Sequence, residues 1–86
     1  MQEKKQSQIF RILSLYDRFM NGQLIVKKDE ASRFTVSEKS IQRDIDNIRD
    51  FIEVDKPGHY VEFNRSHNAY MLEDVDAQWP KKDDTN

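Results

Sequence analysis

The chain has 86 residues, with 14 Lys and Arg against 16 Asp and Glu, a formal net charge of −2, and a mean hydropathy of −0.95. That length suffices for one small hydrophobic core, and the absence of cysteine excludes disulfides and thiolate metal sites. The polar opening from Met1 to Gln8 has no apolar signal segment and no run approaches the roughly 20 apolar residues that cross a bilayer, so the sequence predicts a soluble, cytoplasmic protein.

Gln6 to Met20 is the first periodic segment and predicts a helix. Ile9, Ile12, Leu13, Tyr16, Phe19 and Met20 fall on its broad inner face, Arg11, Ser14 and Arg18 lie opposite, and Phe10 and Leu15 sit off the main stripe. Asn21-Gly22 ends this helix, because glycine enters the left-handed conformation without steric cost. Leu24, Ile25 and Val26 are too short a run for a helix and predict a small strand that pairs with a later hairpin.

Lys27 to Phe34 predicts a short second helix, with Asp29 and Glu30 in the first turn where the dipole favours acids and with Ala31 and Phe34 facing inward. Only Thr35 and Val36 separate it from Ser37, so the next helix must meet it at a tight turn, with Val36 plugging the corner.

Ser37 is a good N-cap for a third helix that starts at about Glu38 and runs to Ile52. Ile41, Ile45, Ile48 and Ile52 form one narrow stripe that must be buried. Lys39 and Arg43 then project almost opposite, with Ser40 and Asn47 on one shoulder and Gln42 on the other. Asp46 and Asp50 follow on the outward side, and Asp44 points to the flank, where Arg11, Arg18 or Arg33 is its expected partner.

Lys56-Pro57-Gly58 stops the helix. Tyr60 to Phe63 and Tyr70 to Leu72 predict two strands joined by the polar loop Asn64 to Ala69, with Val61 and Phe63 sharing one face, Tyr70 and Leu72 another, and Arg65 and His67 at the tip. From Glu73 onward the chain is charged and nearly devoid of apolar residues, which predicts a disordered tail or linker past about Asp76 with Trp79 as its one anchor. The expected architecture is α+β, mainly α: a winged helix-turn-helix of three helices and a two- or three-stranded hairpin wing over residues 1–74, followed by a charged tail over 75–86.

Helix, short turn and capped helix is an arrangement that lays its second helix in the major groove of double-stranded DNA. Lys39 and Arg43, one turn apart, suit a phosphate and a base edge, and the planar fork of arginine fits the O6 and N7 acceptors of guanine, which makes Arg43 the expected specificity residue. Ser37, Ser40, Gln42 and Asn47 are the neighbouring polar candidates, with Lys27, Lys28, Arg65 and His67 flanking them toward the backbone. The acidic balance sets a limit. Residues 1–50 hold ten Lys and Arg against eight Asp and Glu, whereas residues 51–86 hold four against eight, so only the first two turns of the third helix suit a groove of negative potential.

The string Val36-Ser37-Glu38-Lys39-Ser40-Ile41-Gln42-Arg43-Asp44-Ile45 resembles the turn and recognition helix of bacterial winged helix-turn-helix regulators of the DeoR-like type, above all those that carry a C-terminal WYL domain. Their signature is an apolar residue, Ser, two variable residues, Thr or Ser, an aliphatic residue, a polar residue, then Arg-Asp and an aliphatic residue, and each position matches. The similarity covers about residues 6 to 72, although such regulators usually carry a leucine where this chain has Glu30. The resemblance implies sequence-specific DNA binding by a transcriptional regulator through Ser37, Lys39, Ser40, Gln42 and Arg43. Regulators of this shape commonly bind two-fold sites as homodimers and continue into a C-terminal effector domain, so the chain reads as the N-terminal piece of one or as a stand-alone module.

The competing reading is a winged-helix protein-interaction or dimerisation module in which Lys39 and Arg43 are merely solvated and Phe10 and Leu15 meet a partner. His59 and His67, eight apart, match no usual zinc spacing, and no glycine-rich phosphate loop or nucleophile-histidine pair appears, so neither a cofactor nor an enzymatic activity is expected.

Overall fold

The computed structural model describes residues 7–75; the tail expected past Asp76, with Trp79, lies outside the described residues. Three helices, α1 (Gln8–Met20), α2 (Lys27–Phe34) and α3 (Glu38–Asp55), are followed by β1 (His59–Asn64) and β2 (Ala69–Asp74). The two strands pair antiparallel as a hairpin, which gives an α+β, mainly α, winged-helix-like layout.

Local chemistry sets each boundary. The Ser7 hydroxyl accepts from the Phe10 N–H at 3.2 Å and caps α1 two residues later than the hydrophobic pattern alone predicts. At the other end Gly22, at φ 78°, lets the Gly22 N–H reach the Phe19 carbonyl and the Gln23 N–H reach that of Arg18, so the last carbonyls are satisfied. The same pair of bonds closes α2, from Thr35 to Ser32 and from Val36 to Ala31, but the left-handed position is held by a β-branched residue, Thr35 at φ 56°. Ser37 caps α3, its hydroxyl accepting from the Ser40 N–H at 3.1 Å. The helix then continues one turn past Ile52 to Asp55, since the first residues able to stop it are Lys56-Pro57-Gly58.

The core is built on α3. Ile41, Ile45, Ile48 and Ile52 are buried against Leu15 and Phe19 of α1, Ile25, and Val61 and Tyr70 of the hairpin. Each such isoleucine contributes about 2 kcal/mol of transfer free energy. Leu24 to Val26 does not form a strand. Only Ile25 pairs, its N–H and carbonyl each bonding Tyr70 at 2.8 and 2.7 Å in an isolated bridge that ties the hairpin to the start of α2. The register sets Val61 opposite Leu72 and Phe63 opposite Tyr70, so these four share one face of the hairpin instead of dividing between two.

The inner face of α1 differs from the one its apolar residues predict. Arg11, Leu15 and Phe19 are buried, while Ile9, Leu13 and Met20 are exposed. The physical reason is charge pairing. Arg11 forms a buried ion pair with Asp44, through Nε to Oδ2 and through Nη2 to Oδ1 at 3.1 Å, and Gln8 Nε2 donates to the same carboxylate at 3.3 Å. Arg18 makes a bidentate pair with Glu30, at 2.7 and 2.8 Å, and Arg33 reaches Glu30 at 3.2 Å. Glu30 thereby occupies a buried position of α2 that an aliphatic residue would otherwise fill. Two arginines are admitted to the helix interface because each meets a carboxylate there, and Leu15 follows Arg11 inward one turn later.

Asp44→Ala leaves the Arg11 guanidinium buried without its counter-charge and is expected to cost about 3–5 kcal/mol, much of the roughly 5 kcal/mol available to a domain of this size. Replacing both partners, Arg11→Met with Asp44→Leu, is expected to restore stability to the native level or above. Urea unfolding midpoints of the three proteins check this; a double variant as unstable as Asp44→Ala contradicts it.

Candidate nucleic-acid interface

The isoleucine stripe fixes how α3 is rotated, and the rest of its surface follows. Lys39 and Arg43 stand exposed on the side away from the core and make no hydrogen bond or ion pair with another described residue. The carboxylate three residues past Arg43 is already engaged: Asp46 accepts from Gln42 Nε2 at 3.0 Å and lies 3.8 Å from Arg49. Arg43 is thus left free of the i,i+3 partner that would otherwise compete for it. Asp50 is exposed on the same side, roughly 10 Å from Arg43 at 1.5 Å per residue, Glu38 is exposed beside Lys39, and Glu53 and Asp55 lie further along.

Two flanks complete the surface. The four-residue turn Arg65–Asn68 between the strands is closed by Asn68 at φ 52°, by its N–H bonding the Arg65 carbonyl, and by Asn64 Oδ1 accepting from the His67 N–H at 3.1 Å. Arg65 and His67 are exposed at this tip. A concavity of about 250 Å³ is lined by Lys27, Lys28, Glu38, Phe63, Asn68 and Tyr70, so the wing turn, the start of α2 and the first turn of α3 share one side of the molecule.

Among the sequence-predicted residues, Lys39, Arg43, Lys28, Arg65 and His67 are therefore solvent-facing. Ser37 is exposed, with its hydroxyl committed to the cap and to Ser40 Oγ at 3.2 Å, and Ser40 is half-buried. Asn47, one turn past Arg43, stands on the rim of a groove toward α1, beside Leu13 and Phe51. Gln42, expected among the outward contacts, is instead a structural junction. Its Oε1 accepts from Lys27 Nζ at 2.8 Å and from the Tyr70 hydroxyl at 3.0 Å, so one side chain joins α2, α3 and β2. Lys27 is drawn inward by the same bond.

Tyr70 is the residue that the reading of the sequence overlooked. Its ring lies between cations, 6.0 Å from Lys27 and 5.5 Å from Arg49, and packs on Phe63 with centroids 5.0 Å apart. Arg49 also donates to the Val61 carbonyl at 3.3 to 3.4 Å, fastening the middle of α3 to β1. In sequence Tyr70 is only a β-prone aromatic; nothing local marks the hydroxyl that reaches α3.

The described residues contain no group of three or more acidic or histidine side chains placed to hold a metal ion. None of their helices is long and apolar enough to cross a membrane. The fold and this surface define a winged-helix-like module with an open cationic ridge on its third helix. The chain matches no family model, no curated protein sequence and no solved structure.

Tyr70→Phe removes one hydroxyl and keeps the ring. The expected loss is about 1 kcal/mol, with faster hydrogen exchange at the Ile25 and Tyr70 amides that tie the hairpin to the core. Unchanged stability and unchanged exchange would show that the Gln42 junction does not hold the wing.

Proposed function

We propose that the chain binds double-stranded DNA sequence-specifically, as a bacterial transcriptional regulator of the DeoR-like, WYL-associated type or its N-terminal domain. The first two turns of α3 enter the major groove, with Lys39 on a phosphate and Arg43 on a base edge, and the wing turn with Arg65 and His67 runs alongside. Lys28 at the start of α2 takes a flanking phosphate. The observation that carries this reading is the unpaired Lys39–Arg43 ridge, exposed while Asp46 is held to Gln42 and Arg49. The acidic balance of the chain does not oppose it at that point. Arg11 and Arg18 are neutralised by Asp44 and Glu30 in the interior, and Glu53, Asp55, Glu73 and Asp74 sit at the ends of α3 and β2, which leaves Glu38 and Asp50 as the exposed acids flanking the ridge.

A random-oligonucleotide selection with the purified chain supplies the preferred duplex, and fluorescence anisotropy then measures binding to it across a salt series. Affinity is expected to fall steeply with salt, and Arg43→Ala to weaken the selected duplex by about 1–3 kcal/mol while leaving the melting temperature unchanged. Lys28→Ala is expected to weaken all duplexes alike. Equal, weak retention of every duplex by wild type and Arg43→Ala would sink the proposal.

A further inference from the structure

Asp46 stands between two arginines of α3, three residues from each: Arg43 toward the N-terminus and Arg49 toward the C-terminus. Side chains at that spacing are neighbours on a helix surface, so the carboxylate can turn to either. The other positions three or four residues from Arg43 are Lys39, Ser40 and Asn47, which makes Asp46 the one acid of α3 spaced to pair with it. Asp46 faces the other way, yet Arg49 holds it only loosely, at 3.8 Å. Arg49 is engaged elsewhere, donating to the Val61 carbonyl and lying over the Tyr70 ring at 5.5 Å.

The closer contact on Asp46 comes from Gln42, whose Nε2 donates to Oδ1 at 3.0 Å. Two other elements aim that amide. Gln42 Oε1 accepts from Lys27 Nζ of α2 at 2.8 Å and from the Tyr70 hydroxyl of β2 at 3.0 Å. An ammonium group can only donate, so the amide cannot be turned over, and its NH2 must face Asp46.

We propose that Gln42 is a positioning residue for Arg43: by holding Asp46 toward Arg49 it keeps the one suitably spaced acid off the guanidinium that reads the base edge. The inference rests on the DNA reading above for what Arg43 does, but not for whether Arg43 is left unpaired. Gln42 takes no part in the base contact itself. Its two donors belong to α2 and β2, so the seating of the hairpin is coupled to the state of a side chain on the outer face of α3. Loss of the Gln42 amide lets Asp46 swing to Arg43, and the ridge loses its base-reading charge.

Gln42→Met keeps the length and the charge of the side chain and removes the amide. On the free chain, NMR of the arginine Nε–H groups reads the pairing directly. Solvent exchange at Arg43 is expected to slow about two- to fivefold in Gln42→Met, the range of an exposed ion pair, and to return to the wild-type rate when Asp46→Asn is added. Gln42→Glu keeps the acceptor for Lys27 and Tyr70 but turns an oxygen to Asp46. It is expected to slow Arg43 in the same way, and it carries the test should Gln42→Met fail to fold. With the selected duplex, Gln42→Met is expected to weaken binding about two- to fivefold. Asp46→Asn should then improve binding more in the Gln42→Met background than in wild type, while the melting temperature lost with the amide is not recovered. Arg43 exchange unchanged in both Gln42 variants overturns the proposal, as does an equal gain from Asp46→Asn in the two backgrounds. A chain that binds no duplex counts against the DNA reading alone, because the exchange rates in the free chain still decide whether Gln42 keeps Asp46 from Arg43.

Discussion

Everything in the molecule follows from the rotation of α3 about its own axis. A helix buried by four isoleucines on one stripe has one acceptable setting: a turn of about 100°, one residue's worth, would carry each of them toward water and forfeit about 2 kcal/mol apiece. With that setting fixed, Asp44 must face α1, Gln42 and Arg49 must face the hairpin, and Lys39 and Arg43 must face outward. The outward ridge is a by-product of the core.

The core itself is partly ionic. Arg11–Asp44 joins α1 to α3, and Arg18–Glu30 joins α1 to α2, so the position of α1 is set by two charge pairs of defined geometry as well as by Leu15 and Phe19. Apolar contacts tolerate a helix sliding or rotating by a fraction of a turn, whereas a bidentate arginine does not. Turning α1 to bury Ile9, Ile12, Leu13 and Tyr16 together would withdraw both arginines from their carboxylates. That competition leaves a second apolar stripe of α1 facing solvent.

The third helix thus carries two different surfaces at its two ends. Near its N-terminus the capped first turn, the wing turn and the start of α2 share one side of the molecule, with Lys28, Lys39, Arg43 and Arg65 exposed. Near its C-terminus the same helix offers Phe51 and Val54 beside the open stripe of α1. The hydrogen bonds that Gln42 accepts from Lys27 and Tyr70 keep the first of these rigid, since they lock three elements through a single side chain.

Much of this was legible in the residues. The order of three helices and a hairpin, the bounds of α2, the Ser37 cap, the isoleucine stripe and the outward Lys39 and Arg43 all follow from short-range periodicity and capping, because those signals lie within one element. So did a structural role for Asp44, though not the choice of Arg11 from three arginines. What the sequence could not determine depends on partners remote in the chain: Arg11 buried and Leu13 exposed, Glu30 held by Arg18, Gln42 drawn to Tyr70, and Ile25 paired by a single bridge. Hydrophobic patterning scores an arginine as outward wherever it stands. Only the tertiary structure brings up the carboxylate that makes its burial affordable.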